Sequence, residues 1–345
     1  MFMEDFMKNK LSSVFDIIFF SFLFIIYLIY SILIPVYQPN FYSLKTEEKE
    51  VIIVHGMSAK QIALTIKEAE LIKDTNLLIQ WMVRLNIDKS LRPGKYYLHK
   101  GHEINVAYEL QKAKPVTERF MLVPGVKYAS LVKRFIKDDI DIFTQELLNN
   151  NNFPDNIVKI LPKSPQDRIA FLLPETYSLL TENETAKFFI KEASKLWFEK
   201  VGARIPQDYT KKELNEIAVL ASIVEGEAKL DEERPILSGI FLNRIKKNIR
   251  LQSCATVIYS WSNVGIKKDR LSYKDLEIES PYNTYLNYGL PPGPICVPSL
   301  KSWLSALNPE ETEYLFFFAT SEGRHIFSKT YKEHLEKQRL LQEIQ

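Results

Sequence analysis

The chain is 345 residues long, 46 % hydrophobic and 26 % charged, which excludes a disordered protein and leaves room for two soluble modules, or one large one with appendages. Its 45 basic and 43 acidic residues give a net charge of +2 without long runs of like charge, which argues against a dedicated nucleic-acid binder. Two isolated cysteines and five scattered histidines form no CxxC or HxxxH pattern, so neither a metal nor another cofactor is expected.

From Val14 to Tyr37 the chain reads VFDIIFFSFLFIIYLIYSILIPVY, with Asp16 as its one charge. Because about 20 apolar residues cross a bilayer, residues 14–37 are expected to be a transmembrane helix with tyrosines at its far interface. The apolar core is too long for a cleaved signal peptide, and no small-residue cleavage site follows it. Lys8 and Lys10 precede the span and Lys45 and Lys49 follow at greater distance. That asymmetry makes residues 1–13 a cytoplasmic tail and puts the bulk of the chain outside the cytoplasm.

A linker, residues 38–49, leads to a strand at Glu50 to His55. A turn at Gly56-Met57-Ser58 opens an amphipathic helix with Ile62, Ala63, Ile66 and Ala69 on one side. A second helix covers Asn76 to Leu85, a strand Gly94 to His99, and a third helix Ile104 to Ala113. This module, residues 50–114, carries no nucleophile or ligand cluster, and Tyr96 and Tyr97 read as core and edge packing.

Pro115 opens a larger unit, residues 115–345. Arg119 to Val123 reads as a strand, and Pro124-Gly125 as the turn into a helix from Ala129. Thr181-x-x-Glu184 has the form of a capping box for a helix ending at Lys200. A second box, Thr210-x-x-Glu213, starts a helix that stops near Gly226. Another helix runs from Pro235 to Asn248, and one from Ser299 to Leu307. A strand from Tyr314 to Ala319, a turn at Ser321-Glu322-Gly323, a strand through His325 and Phe327, and a helix from Tyr331 complete the chain. Strands and helices mix without a βαβ rhythm, so the fold class expected is α+β.

The helix ending near Gly226 holds the most pointed signal. At about 100° per residue, Leu214, Ile217, Ala218 and Ala221 form a stripe, and Glu225 falls about 20° from Leu214, inside it. Glu227 lies about 140° away, in a supporting or solvated position. A carboxyl held against apolar neighbours is suited to act as a general acid. The plain alternative is a surface Glu on a fraying helix end. No GxGxxG, GxxxxGK[ST] or GxSxG motif is present, which leaves phosphate cradling and serine hydrolysis unsupported. The side chains following Glu225 suit a sugar: Asn243 and Arg244, Gln252, the aromatic loop Ser280 to Tyr285, and the stiff loop Gly289 to Pro294. Helix capping would explain Asn243 equally well, and core packing Tyr282 and Tyr285. Glu232 and Glu233 read as an exposed acidic loop. Whether Cys254 and Cys296 pair is left open.

Ala221-Ser-Ile-Val-Glu225-Gly-Glu227 resembles the ASIVEKE segment of the YceG-like (MltG) endolytic murein transglycosylases. Agreement continues through Phe241 to Arg244, Leu251-Gln252, Thr256 to Tyr259, Ser280 to Tyr285 and Gly289 to Ile295. Leu173-Pro-Glu-Thr-Tyr177 resembles the family's FPDTY segment, and Gly323-x-His325-x-Phe327-Ser328 its GxHxFS hairpin. Residues 50–114 are similar to its LysM-like βααβ module, including the GKYYL strand. The resemblance covers nearly the whole chain, in order. It departs at Gly226, where the family has Lys and where a looser helix end is expected; at Pro124-Gly125, which lacks the family's intervening Glu; and at the two cysteines.

The resemblance implies a membrane-anchored lytic transglycosylase acting on the MurNAc-β-1,4-GlcNAc bond, with 1,6-anhydro ends formed inside nascent glycan strands and strand elongation terminated. Glu225 would be catalytic. Asn243, Arg244, Gln252, Tyr282, Asn283, Tyr285, Glu175 and Tyr177 would bind substrate, with Glu227 and His325 in support. Peptidoglycan synthases of the elongation machinery would be partners. A conventional glycoside hydrolase pairing Glu225 with a second acid such as Glu175, or a non-catalytic wall-binding scaffold, remains open at this level.

Overall fold

The computed structural model describes residues 18–29, 47–54, 57–137, 140–179, 185–206 and 209–344. Half of the expected membrane span lies outside these residues, as do the Thr181-x-x-Glu184 box and Gly56. What is described of the span, residues 18–29, is a helix (α1) whose large apolar side chains are exposed. No helix among the described residues is long and apolar enough to cross a membrane.

The described chain forms two compact units, dividing between Thr117 and Glu118. The first runs β1 (Glu48–Ile53), α2 (Ala59–Glu68), α3 (Thr75–Arg84), a short α4 (Ile87–Ser90), β2 (Gly94–His99) and α5 (Glu103–Lys112). β1 and β2 pair antiparallel, Val51 opposite Tyr96, so that Val51, Ile53, Tyr96 and Leu98 alternate inward onto the helices. A Ser58–Gln61 capping box starts α2, and the Asp74 side chain caps α3. Tyr96 is core, its hydroxyl on the Arg92 carbonyl, and Tyr97 lies at the exposed edge.

The second unit is mixed α+β with only two-stranded antiparallel ribbons among its described residues. β3 (Glu118–Met121) pairs with β6 (Thr176–Leu179). Between them lie α6 (Tyr128–Arg134), the small hairpin of β4 (Ile136–Lys137) and β5 (Ile140–Asp141), α7 (Ile142–Leu148), α8 (Asp155–Val158) and α9 (Pro165–Arg168). The helices α10 (Thr185–Lys200), α11 (Lys211–Glu227), α12 (Arg234–Lys246), α13 (Cys254–Asn263) and α14 (Leu300–Leu307) follow. The chain ends in a hairpin of β7 (Phe316–Ala319) and β8 (His325–Ser328), then α15 (Tyr331–Ile344).

One continuous core joins these elements, with Phe120, Phe135, Phe143 and Phe189 at one end and Phe171, Trp197 and Trp303 in mutual ring contact at the other. α11 is its axis. Residues 218–224 are buried without interruption, because α12, α13 and α14 all pack on the second half of the helix, while Ile217 is only partly covered. The one-sided stripe expected from periodicity therefore holds for the first turns and gives way to burial all round.

Candidate active site

Both arms of the Thr210–Glu213 capping box are made, and α11 runs on through Gly226 to Glu227. The helix end is not loosened at Gly226. A β-carbon there would stand 2.6 Å from that of Ala255, so the missing side chain lets α13 approach closely.

At this end Glu225 is enclosed, its side chain 8 % exposed, but the surroundings differ from the apolar ones expected. Its Oε2 accepts from Arg234 Nη1 (3.2 Å), the Ser302 hydroxyl (2.7 Å) and the Ser299 backbone N–H (2.9 Å). Oε1 has one marginal contact, 3.5 Å to Arg234 Nη2. Ser299 is the N-cap of α14, so the positive end of that helix faces the carboxylate. Arg234 is itself fixed, Nη1 donating to Ser302 Oγ (2.6 Å) and Nε to Asp231 (3.0 Å). A guanidinium, a hydroxyl and a helix N-terminus thus hold one oxygen of Glu225 and leave the other with unused accepting capacity.

The remaining expected residues separate into two groups. Four, expected to bind substrate, make hydrogen bonds to the scaffold. Asn243 Nδ2 donates to the Thr312 (2.6 Å) and Tyr314 carbonyls. Arg244, buried, donates to the carbonyls of Leu315, Arg250 and Leu251. Asn283 is fully buried, donating to Leu276 and Ile278 and accepting from the Tyr285 N–H. Tyr177 is buried with its hydroxyl on the Leu173 carbonyl. In each case a polar side chain satisfies backbone carbonyls.

Gln252, Tyr282, Tyr285 and Glu175 keep exposed or half-exposed side chains. Gln252 also has φ +47°, a left-handed conformation costly for a side-chain-bearing residue, held by its N–H on the Thr284 carbonyl. Glu175 accepts from the N–H of Thr176. Tyr285 rests its hydroxyl 3.4 Å from Cys254 Sγ.

Of the supporting pair, Glu227 receives the Ser253 hydroxyl and the Ala255 N–H, so it caps α13. His325 is buried against Glu233, Nδ1 to Oε2 at 2.7 Å, and its N–H donates to Oε1. Glu233 is therefore not an exposed loop residue; only Glu232 is. Cys254 and Cys296 are free thiols, the latter buried with Sγ 3.4 Å from the Ser222 carbonyl. No group of His, Cys, Asp or Glu among the described residues is placed to hold a metal ion.

Sequence reasoning missed Arg234, Ser299 and Ser302, and also a polar cluster beside them. Lys127 lies with Nζ 6.0 Å from the ring centroid of Tyr259, whose ring is 4.8 Å from that of Tyr282. Asp167 faces both tyrosines, and a β-carbon on Gly293 would stand 2.1 Å from Asp167 Oδ1 and 3.2 Å from the Tyr282 hydroxyl. Burial pushes the Asp167 carboxyl up to about 6, lowers the Lys127 ammonium and raises both tyrosine hydroxyls. The backbone links the cluster to the acid: Val297 donates to the carbonyl of Val126, the residue before Lys127, and Ser299, two residues after Val297, donates to Glu225. The stiff loop after Gly289 has a different neighbour on its other side, a hollow of about 750 Å³ lined by Ile217, Leu220, Leu242, Leu290 and Pro291, among others, but not by Glu225.

Residues 51–340 match the YceG-like family. An endolytic murein transglycosylase of Bacillus subtilis is 31 % identical over 299 residues, covering 82 % of this chain and 81 % of that protein. One from Streptococcus pneumoniae is 26 % identical over 313 residues, 82 % of this chain but 56 % of the longer relative. The crystal structure of a YceG-like protein from Listeria monocytogenes, 27 % identical, superposes with a TM-score of 0.51 over 85 % of this chain and 99 % of the other. With a match this long and relatives of this similarity, the chain belongs to the YceG-like family.

Proposed function

We propose that the chain is an endolytic murein transglycosylase, a lyase that cleaves the MurNAc-β-1,4-GlcNAc bond within glycan strands, with Glu225 as its single acid and base. The observation that carries this reading is the asymmetry of the Glu225 carboxyl: Oε2 takes three donors and Oε1 almost none. Protonated Oε1 gives its proton to the glycosidic oxygen as the C1–O bond breaks, and the GlcNAc hydroxyl departs. Arg234, Ser302 and the N-terminus of α14 hold the charge left on the carboxylate. That carboxylate then takes the proton of the C6 hydroxyl as its oxygen closes on C1, forming the 1,6-anhydro ring and restoring the acid. A conventional glycosidase needs a second carboxylate to act as nucleophile or to activate water. Here the sugar supplies its own nucleophile. Gln252, Tyr282, Tyr285 and Glu175, still available at the surface, are the side chains proposed to hold the glycan.

The exposed apolar helix at residues 18–29 supports a single membrane span over 14–37, and Lys8 and Lys10 before it favour a cytoplasmic tail with the rest of the chain on the wall side. Residues 50–114, similar to a LysM-like module, would add glycan affinity. Anchoring near newly made strands fits a role in ending their elongation beside the peptidoglycan synthases.

Digestion of purified murein, with mass analysis of the ends, tests the reading. The protein is expected to release 1,6-anhydro ends, and Glu225→Gln to lower the rate roughly 10³-fold. Reducing ends from the wild type would favour a two-carboxylate hydrolase instead, and undiminished cleavage by the variant would remove Glu225 from the chemistry.

A further inference from the structure

Two charged side chains on elements near the Glu225 loop have no ion-pair partner among the described residues. Lys127, the residue before α6, and Asp167, on α9, both adjoin the Tyr259 ring, one over its face and the other by way of Tyr282. Neither charged end has an ion pair or hydrogen bond with a described residue. Both are half-buried, and burial acts on each in the direction expected of an unsatisfied charge. The fold sets the two charges on separate elements, each next to a member of the Tyr259–Tyr282 pair, and no ion pair joins them. Gly293 leaves the Asp167 carboxyl uncovered at a point where any side chain would collide with it. A site that keeps two unpaired charges in this way is built for a partner that carries both signs.

The glycan backbone does not supply such a partner, since its hydroxyls and acetamido groups are neutral. In murein the charges lie on the short peptides attached to the lactyl group of the muramic residue, which bear carboxylates and an ammonium alongside amide N–H groups. We propose that Lys127 and Asp167, flanking the Tyr259–Tyr282 pair, form a subsite for the stem peptide next to the scissile bond. Lys127 takes a peptide carboxylate and Asp167 an N–H or ammonium, while the tyrosine faces cover the aliphatic lactyl-alanyl portion. The enzyme then selects peptide-bearing strands over stripped ones. This subsite rests on the murein reading above.

The experiment compares kcat/KM of the full chain on intact peptide-bearing strands and on the same strands stripped by an amidase, which leaves the lactyl carboxylate but no peptide N–H or ammonium. The wild type is expected to prefer peptide-bearing strands, and Lys127→Met and Asp167→Asn each to lower that ratio about tenfold. In parallel, calorimetry measures binding of free stem tripeptide to full-length Glu225→Gln, with binding lost when either substitution is added. This second readout covers a variant too inactive for kinetics. Equal losses on both substrates, an unchanged ratio, or peptide binding indifferent to both substitutions would overturn the subsite. Anhydro ends released equally from both substrates would leave the reaction standing and remove only the peptide selectivity, whereas no anhydro ends from either would sink the reaction itself.

Discussion

Replacing Arg234 by Met keeps the length of the side chain and removes its charge from a pocket where Glu225 is equally buried, both side chains being 8 % exposed. Removing one partner of a buried pair costs about 3–5 kcal/mol, because the other charge is left uncompensated. The lower end applies here: Ser302 and the Ser299 N–H still donate to Oε2, and the lost contact to Asp231, itself 47 % exposed and also served by Lys301, is worth little. We expect Arg234→Met to destabilise the second unit by about 3 kcal/mol. Glu225→Gln should cost about 2 kcal/mol, since Arg234 keeps Asp231 and Ser302. The double variant should remain near 3 kcal/mol, a coupling of about 2 kcal/mol. Urea denaturation followed by tryptophan fluorescence reads this directly, because Trp197 and Trp303 are fully buried 5.2 Å apart in the same core. An Arg234→Met variant within about 0.5 kcal/mol of wild type, or additive single effects, would refute the idea that Arg234 balances the charge of Glu225.

Gly226→Ala would normally strengthen a helix by up to about 1 kcal/mol, but its β-carbon would stand 2.6 Å from that of Ala255. A net loss of about 1–2 kcal/mol is expected, largely recovered by adding Ala255→Gly; a higher melting temperature for Gly226→Ala alone would contradict it. The Asp167 carboxyl is pushed up to about 6 in the folded protein, above its unfolded value, so the folded state binds the extra proton. Stability is therefore lost as pH rises from about 4 to 6 and stays lower above that window. Discounted for partial exposure, Asp167→Asn should be about 1 kcal/mol more stable than wild type at pH 7 and equal to it near pH 4, as melting temperatures across that range would show. His325→Ala removes the partner of buried Glu233, both side chains 4 % exposed, and should cost about 2–4 kcal/mol. Adding Glu233→Gln should recover part of that loss, and no recovery would mean that packing alone explains the cost.

The α11 helix was legible because its determinants are local: the Thr210–Glu213 box, the apolar spacing, and a carboxylate where an apolar residue was due. What surrounds that carboxylate was not, because Ser299 and Ser302 lie 74 and 77 positions away and no periodicity encodes them. The same limit misread Glu233, buried by a histidine 92 positions later. Asn243, Arg244 and Asn283 were legible as polar groups in the expected glycan site, but not the backbone carbonyls that their side chains hold. Composition tells an amide from an apolar group without telling a sugar hydroxyl from a backbone oxygen. Gly226 shows the converse, since its reason lies in another helix and not in its own. Asp167 and Lys127 lacked any local signal, each being an ordinary charge near a helix start until the tyrosines are placed beside it.

The donors that hold Glu225 come from the starts of α12 and α14, and α14 begins more than seventy residues after the acid itself. As the polypeptide grows from its amino end, α11 is made long before the hydroxyl and amide that orient its carboxyl. An enzyme that cuts the material enclosing its own cell thus gains a delay written into chain order: the blade is forged early and fitted to its handle last, when nearly the entire molecule has been delivered.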